Sequence, residues 1–304
     1  MTESRLVSLP DGGIQIHAPA KLNLGLRVFP RQPDGYHPIE SWMMPISLYD
    51  TLTVQPAEDL QLLLSGWEAG VPADPENNLV GRAALRLAQR AGVQAGARIT
   101  LHKVIPPGGG LGGGSSDAAA TLLALDALWR LKRPVDELRA LALDLGSDVP
   151  FFVEAASAVC RGRGERLEPL AFSQFWYAVL FIAPRGIPTG PVYAHFDVLP
   201  RAAEAPPLDW MALRRAGATE VNAAIYNDLE TPALAVAPWL RQRREDLTRR
   251  LNRKIHLTGS GATLFTLLED PGAAARLAHD LNAQPAGDCM AVPVRLYRRG
   301  EYPG

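Results

Sequence analysis

The spacing of apolar and polar positions divides the chain into alternating strand-like and helix-like stretches. Residues 14–28 carry β-like runs around Pro19, and residues 42–54 end in the alternating Thr51-Leu52-Thr53-Val54, so both predict strands. Leu79, Ala83, Leu87 and Ala91 recur at helical spacing, and Gly92 supplies a stop. Residues 98–105 predict a further strand that runs into two prolines and a glycine tract. Beyond it, residues 118–131 form an apolar helix of Ala and Leu with Trp129, and a second helix opens at Pro134 and ends at Gly146. Residues 172–183 read as a buried strand. Residues 184–218 are rich in Pro, Ala and Gly and read mostly as connection, with a short helix near Trp210. Residues 233–251 are helical, with Thr231 as N-cap, Pro232 in the first position and a break at Pro238. The remainder reads strand, Gly-Ser-Gly turn and strand over 255–268, helix over 273–281, and strand over 291–297. No repeat interrupts this order, and the domain boundary falls near residues 165–185.

Composition narrows the class. At about 150 residues per domain, a chain of 304 residues suggests two domains, and 47% apolar residues suffice for a buried core. Basic residues number 31 and acidic residues 32. That balance excludes a general nucleic-acid coat and a polybasic membrane binder. Only Lys21, Lys103, Lys132 and Lys254 are lysines, so each stands out against the arginines. Cys160 and Cys289 lie too far apart for a C-x-x-C site, which argues against a disulfide framework and cysteine-bound zinc. The opening residues lack an apolar signal core, and the longest apolar run, 171–183, is shorter than the about 20 residues a membrane span needs. A cytoplasmic protein is expected.

The strongest chemical signal is Pro106-Pro107-Gly108-Gly109-Gly110-Leu111-Gly112-Gly113-Gly114-Ser115-Ser116-Asp117. Glycines without Cβ let consecutive amides curl around an anion. Ser115 and Ser116 stand where a helix begins, so its free N–H groups and dipole face the same loop. No lysine follows as a P-loop requires. Gly108, Gly110 and Gly113 satisfy G-x-G-x-x-G, but no strand ending in an acid follows about 20 residues later, as a dinucleotide fold wants. The remaining protein-kinase motifs are absent as well.

The loop resembles the ATP-phosphate loop of the GHMP kinases (galactokinase, homoserine kinase, mevalonate kinase and relatives). Pro19-Ala20-Lys21-Leu22-Asn23-Leu24 and Leu257-Thr258-Gly259-Ser260-Gly261-Ala262 resemble two further signatures of that superfamily, in the correct order. Asp34-Gly35-Tyr36-His37 and Gly146-Ser147-Asp148-Val149-Pro150-Phe151-Phe152 resemble one branch of it, whose acceptor alcohol carries a cytidine diphosphate group. The resemblance implies an α+β protein of the GHMP kinase fold. Residues 1–172 would form a ribosomal protein S5 domain 2-like ATP-binding domain, and residues 173–304 a ferredoxin-like α/β domain on the substrate side. It implies ATP and a small-molecule substrate, with no nucleic-acid or membrane partner, in a monomer or homodimer.

Phosphoryl transfer needs a held triphosphate, an oriented hydroxyl and stabilised charge. Pro106 to Ser116 supply the cradle. Asp148, in a turn before Pro150, is the candidate base, the role that the resemblance implies for this motif. On a strand, Lys21 and Asn23 share a face, while Leu22 and Leu24 face the core. The resemblance makes Lys21 the active-site cation and Asn23 its neighbour at the substrate. Lys103, just before the prolines, either reaches nucleotide phosphate or faces water on its strand. Asn77 and Asn78 are candidate helix caps that the resemblance places near the base of the nucleotide. Ser115 and Ser116 cap the helix, touch phosphate or carry magnesium, and Asp117 serves the metal or the helix dipole. Tyr36 and His37, with Thr189 and Tyr193, are the substrate-side candidates, with the two aromatics placed around a pyrimidine. The Gly259-Ser260-Gly261 turn either permits a tight hairpin or lets backbone approach phosphate. No metal-binding constellation is visible in the sequence, and Mg²⁺ is inferred from the reaction alone. Rival readings are a kinase for another small alcohol, an NAD-dependent oxidoreductase and an RNA-binding protein.

Overall fold

A computed structural model describes residues 5–67, 70–94, 96–199, 207–284 and 289–298. Among these residues the first half forms β1 (Leu6–Ser8), β2 (Ile14–Val28), β3 (Ile39–Gln55), β4 (Leu60–Gly66), α1 (Leu79–Ala91), β5 (Ala97–Lys103), α2 (Gly113–Leu128), α3 (Val135–Leu145), α4 (Val149–Glu154), β6 (Ala158–Gly162) and β7 (Arg166–Pro169). The second half forms β8 (Tyr177–Ile182), α5 (Thr189–Val198), α6 (Trp210–Leu213), α7 (Ala218–Ala224), α8 (Glu230–Val236), α9 (Pro238–Leu251), β9 (His256–Leu257), β10 (Leu264–Leu268), α10 (Pro271–Asn282) and β11 (Met290–Arg295).

Strands β1 to β7 make one sheet in the order β1-β2-β3-β5-β4, with β6 pairing the start of β3 and β7 pairing β6. Its pairs are antiparallel except β4 with β5. Strands β8 to β11 make a second, antiparallel sheet in the order β11-β8-β10-β9. The long strands β2 and β3 are buried on both faces through their middle. One face, including Ile16, Ala18, Leu52 and Val54, packs with α1 to α4. The other, including Leu22, Leu24, Trp42 and Met44, meets Trp176, Leu180 and Phe265 of the second half. Trp42 lies edge-on to Phe172, Trp176 and Trp210, with ring centroids 5.1 Å apart in the adjoining Phe172–Trp176 stack.

Several expected elements shift for local reasons. The helix expected from residue 118 starts at Gly113, and its N-cap is Gly112 in left-handed geometry, so neither Ser115 nor Ser116 caps it. It is buried nearly all round, which suits its Ala and Leu composition. Thr231 lies inside α8, whose N-cap position is Leu229, while the break before Pro238 falls as expected at Ala237. Residues 149–154, for which no element is expected, form α4 directly after Asp148, and Pro150 occupies a first-turn position where a missing N–H costs nothing. Residues 189–198, read as connection, form α5, whose Val192 and Phe196 lie one turn apart against the core.

Candidate active site

The glycine loop crosses from the end of β5 to the start of α2 and lies against the turn between β9 and β10. The carbonyl of Gly108 accepts from Ile187 N at 3.1 Å and Ala262 N at 3.2 Å, and the Gly109 carbonyl accepts from Thr263 N at 3.1 Å. At Gly110, with φ +73°, a Cβ would stand 2.3 Å from the Thr258 carbonyl oxygen. Glycine is therefore required here for contact between two backbones. The Gly259-Ser260-Gly261 turn thus serves close approach, and the neighbour it meets is the glycine loop itself.

On the other side of the loop, the Lys21 amide donates to the Leu111 carbonyl at 2.9 Å, which ties β2 to the loop. Lys21 is buried at 3% exposure, and its ammonium donates to Asn23 Oδ1. Asn23 is fixed in turn by Ser41 Oγ at 2.8 Å and by Thr258 Oγ1, which accepts from the Asn23 amide at 3.1 Å. Burial pulls the Lys21 pKa below the ordinary lysine value, and the negative charge of Asp148 opposes that shift. Asp148 occupies the N-cap position of α4, half-buried, and its carboxylate makes no side-chain cap bond. Burial and the Asp148 charge also push up the pKa of the Tyr193 hydroxyl. Lys21, Asp148 and Tyr193 therefore meet electrostatically, as elements far apart in sequence.

One cleft of about 900 Å³ holds this arrangement. Lys21, Asn23, Tyr36, His37, Lys103, Asp148, Thr189 and Tyr193 line it together with residues 106–115. Ser116 does not line it: its hydroxyl turns inward, fully buried and without a hydrogen-bond partner among the described residues. Lys103 is engaged from below, its ammonium lying between Asp50 and Asp117 rather than free towards the opening. Thr189 Oγ1 and Ser260 Oγ are 2.9 Å apart. Asn78 caps α1, accepting from Val80 N at 2.9 Å, and Asn77 beside it donates to Asp74.

Tyr36 is half-exposed and carries the Arg163 guanidinium 3.9 Å from its ring centroid, while Asp34 pairs with the same guanidinium at 2.7 Å. His37 is buried: Nδ1 lies 3.0 Å from the Phe29 carbonyl and Nε2 lies 3.2 Å from Asp197 Oδ1. Its ring is 5.3 Å from that of Tyr193. Asp50, Arg163 and Asp197 were not legible as site residues. Asp50 did carry a signal, since it shares the inward parity of Leu52 and Val54. Arg163 and Asp197 carried none, because they reach the cleft only through the fold.

The donor set suits a nucleotide triphosphate. Gly112 keeps left-handed φ +72°, and a Cβ there would stand 2.8 Å from the buried Phe152 ring, so the loop needs glycine at this position as well. The first-turn amides of α2 have no partners within their helix, as at any helix start, and face the loop. Among the described residues no group of three or more His, Cys, Asp or Glu side chains is placed to hold a metal ion, and no helix is long and apolar enough to cross a membrane.

Residues 78–155 match the GHMP kinases N terminal domain family. A 4-diphosphocytidyl-2-C-methyl-D-erythritol kinase of Salinispora arenicola is 40% identical over 280 residues, covering 90% of this chain and 89% of that protein. The chain belongs to the 4-diphosphocytidyl-2-C-methyl-D-erythritol kinase family. The enzyme of the same name from Thermobifida fusca is 39% identical, covering 91% of this chain and 93% of its own. A crystal structure of 4-(cytidine 5'-diphospho)-2C-methyl-D-erythritol kinase superposes with a TM-score of 0.76 at 40% identity, covering 93% of this chain and 98% of that one. A homoserine kinase from Cytophaga hutchinsonii, at 17% identity and a TM-score of 0.69, shares the fold. The fold is thus the α+β GHMP kinase fold, and the chain is a kinase of a superfamily that uses ATP.

Proposed function

We propose that this enzyme transfers the γ-phosphoryl group of ATP to the 2-hydroxyl of 4-diphosphocytidyl-2-C-methyl-D-erythritol, yielding ADP and the 2-phosphate. The reaction is a step of the non-mevalonate route to isopentenyl diphosphate and terpenoids. The observation that carries this reading is the meeting of Lys21 and Asp148 beside the glycine loop in one cleft. The names of the relatives supply the substrate.

ATP supplies the phosphoryl group, and Mg²⁺ accompanies it through the phosphates and water rather than through a cage of side chains. Residues 106–115 and the first turn of α2 hold the phosphates. Asp148 takes the proton of the 2-hydroxyl as that oxygen forms its bond to phosphorus and the bond to the ADP oxygen breaks. Lys21, fixed by Asn23, stabilises negative charge at the attacking oxygen. Tyr36, His37 and Tyr193 hold the pyrimidine end, and Thr189 lies at the start of α5 between the two ends. No side chain is covalently phosphorylated. Two domains, divided at residues 172 and 173, follow the two sheets, and the enzyme works in the cytoplasm.

The direct test incubates the protein with ATP, Mg²⁺ and the cytidine-diphosphate substrate and looks for ADP and the 2-phosphate. Mevalonate and homoserine serve as alternative acceptors. Turnover of either in place of the cytidine compound would replace this reading with another GHMP kinase activity.

A further inference from the structure

Beneath the glycine loop, β3, β5 and α2 each contribute one buried charged side chain. Lys103 Nζ lies 2.6 Å from Asp117 Oδ2 and also pairs with Asp50 Oδ2. The second oxygen of Asp50 accepts from the amides of Val104 at 2.5 Å and Ile105 at 2.8 Å, which fixes the strand leading into the loop. The second oxygen of Asp117 is buried and has no hydrogen-bond partner among the described residues. The cluster sits immediately under the first turn of α2, where a Cβ at Gly113 would lie 3.3 Å from the Lys103 ammonium.

Two carboxylates facing one ammonium leave an excess negative charge at the place where phosphates approach from above. In a buried setting such a charge is weakly screened and acts over several ångström. Removing Lys103 would double that excess.

We propose that Lys103 is a positioning residue that does not touch the nucleotide: by offsetting the charge of Asp50 and Asp117 it limits the negative charge that opposes the phosphates at the N-terminus of α2. The inference rests on the glycine loop being the nucleotide cradle. It departs from the simpler expectation that the lysine reaches phosphate itself, because the two predict opposite outcomes when Asp117 is neutralised together with Lys103.

The test measures ADP affinity by calorimetry on the full chain, with folding checked by thermal unfolding. Lys103→Met should weaken ADP binding at least about tenfold, the equivalent of 1.4 kcal/mol. Asp117→Asn keeps the shape of the acid and removes its charge, so it should bind ADP no more than about threefold weaker than the parent does. The double variant removes one charge of each sign, and the amide it introduces at position 117 can donate to Asp50, so it should fold and recover affinity to within about threefold. A double variant that stays tenfold weak would show that Lys103 acts on the nucleotide directly, and would overturn the proposal. So would a Lys103→Met variant that binds ADP normally, or an Asp117→Asn variant that loses binding tenfold. If Lys103→Met does not fold, the double variant and Asp117→Asn still decide. Failure of the cradle reading is distinguishable, since the parent itself would then bind no ADP.

Discussion

Among the acidic side chains lining the cleft, Asp148 alone has a carboxylate with no hydrogen bond or ion pair to the described residues. Asp117 pairs with Lys103, and Asp197 with His37. A base must keep its oxygens available for the hydroxyl proton, and the other two are committed elsewhere. Asp148→Asn should therefore lower kcat by about 10²–10⁴, while ADP affinity changes little. Near-normal turnover would remove Asp148 from the role of base. At Lys21, the ammonium donates to Asn23 and lies in the field of Asp148, the proposed base, rather than pointing free into the glycine loop. Lys21→Ala should accordingly depress kcat more than it weakens nucleotide binding, as steady-state kinetics beside ADP calorimetry would show. An effect on nucleotide affinity alone would make Lys21 a binding residue.

At the scale of elements, the loop–turn contact depends on glycine in a way that can be measured. Gly110→Ala puts a Cβ into the Thr258 carbonyl at a left-handed φ, which strains the residue by about 1–2 kcal/mol before the clash is counted. It should lower both the thermal midpoint and ADP affinity; a variant unchanged in both would show that loop and turn do not need this approach. The strand β9 beside that turn carries a second testable feature. Burial, with Lys254 and Arg244 nearby, lowers the His256 pKa from 6.5 to about 3, and its Nε2 has no hydrogen-bond partner among the described residues. The unfolded chain then binds more protons than the folded one between these values, so stability falls as pH drops through that window. From pH 6.5 to pH 5 the loss should be about 2 kcal/mol. Urea unfolding of the parent and His256→Gln should show it, with the variant lacking that part of the slope. How much was legible follows from period and partner. Strand β2, helix α1 and the glycine loop follow from local pattern alone. So do Lys21 and Asn23, because two polar side chains on one face of an apolar strand are conspicuous. Helix α5 and strands β4, β6 and β7 are not legible in this way, since their short segments take their form from tertiary pairing. Lys103 stands out as a lysine near phosphate chemistry, but its partner Asp50 lies 53 residues away in sequence, and no local pattern joins the two.

At the scale of the whole molecule, the two sheets are not independent. The amide of Tyr297 donates to Pro45 O at 2.9 Å and Leu296 forms a bridge with Ile46, so the segment after β11 closes onto β3. Between the sheets Trp42 is fully buried against Phe172, Trp176 and Trp210, and its indole donates to Ser157 Oγ at 2.8 Å. The cleft lies across the same junction, because the glycine loop of one half is hydrogen-bonded to the turn of the other. A shared core of this kind should make the halves unfold together. Trp42→Ala, which empties the centre of that core, should cost about 3–5 kcal/mol and move a single transition to lower denaturant. The check is urea unfolding followed by far-UV circular dichroism, tryptophan fluorescence and residual ADP binding on the same samples. Coincident curves for parent and variant are expected. If ADP binding is lost in a separate, earlier transition while the secondary structure persists, the junction is weaker than the core of either half, and the cleft opens before either sheet unfolds.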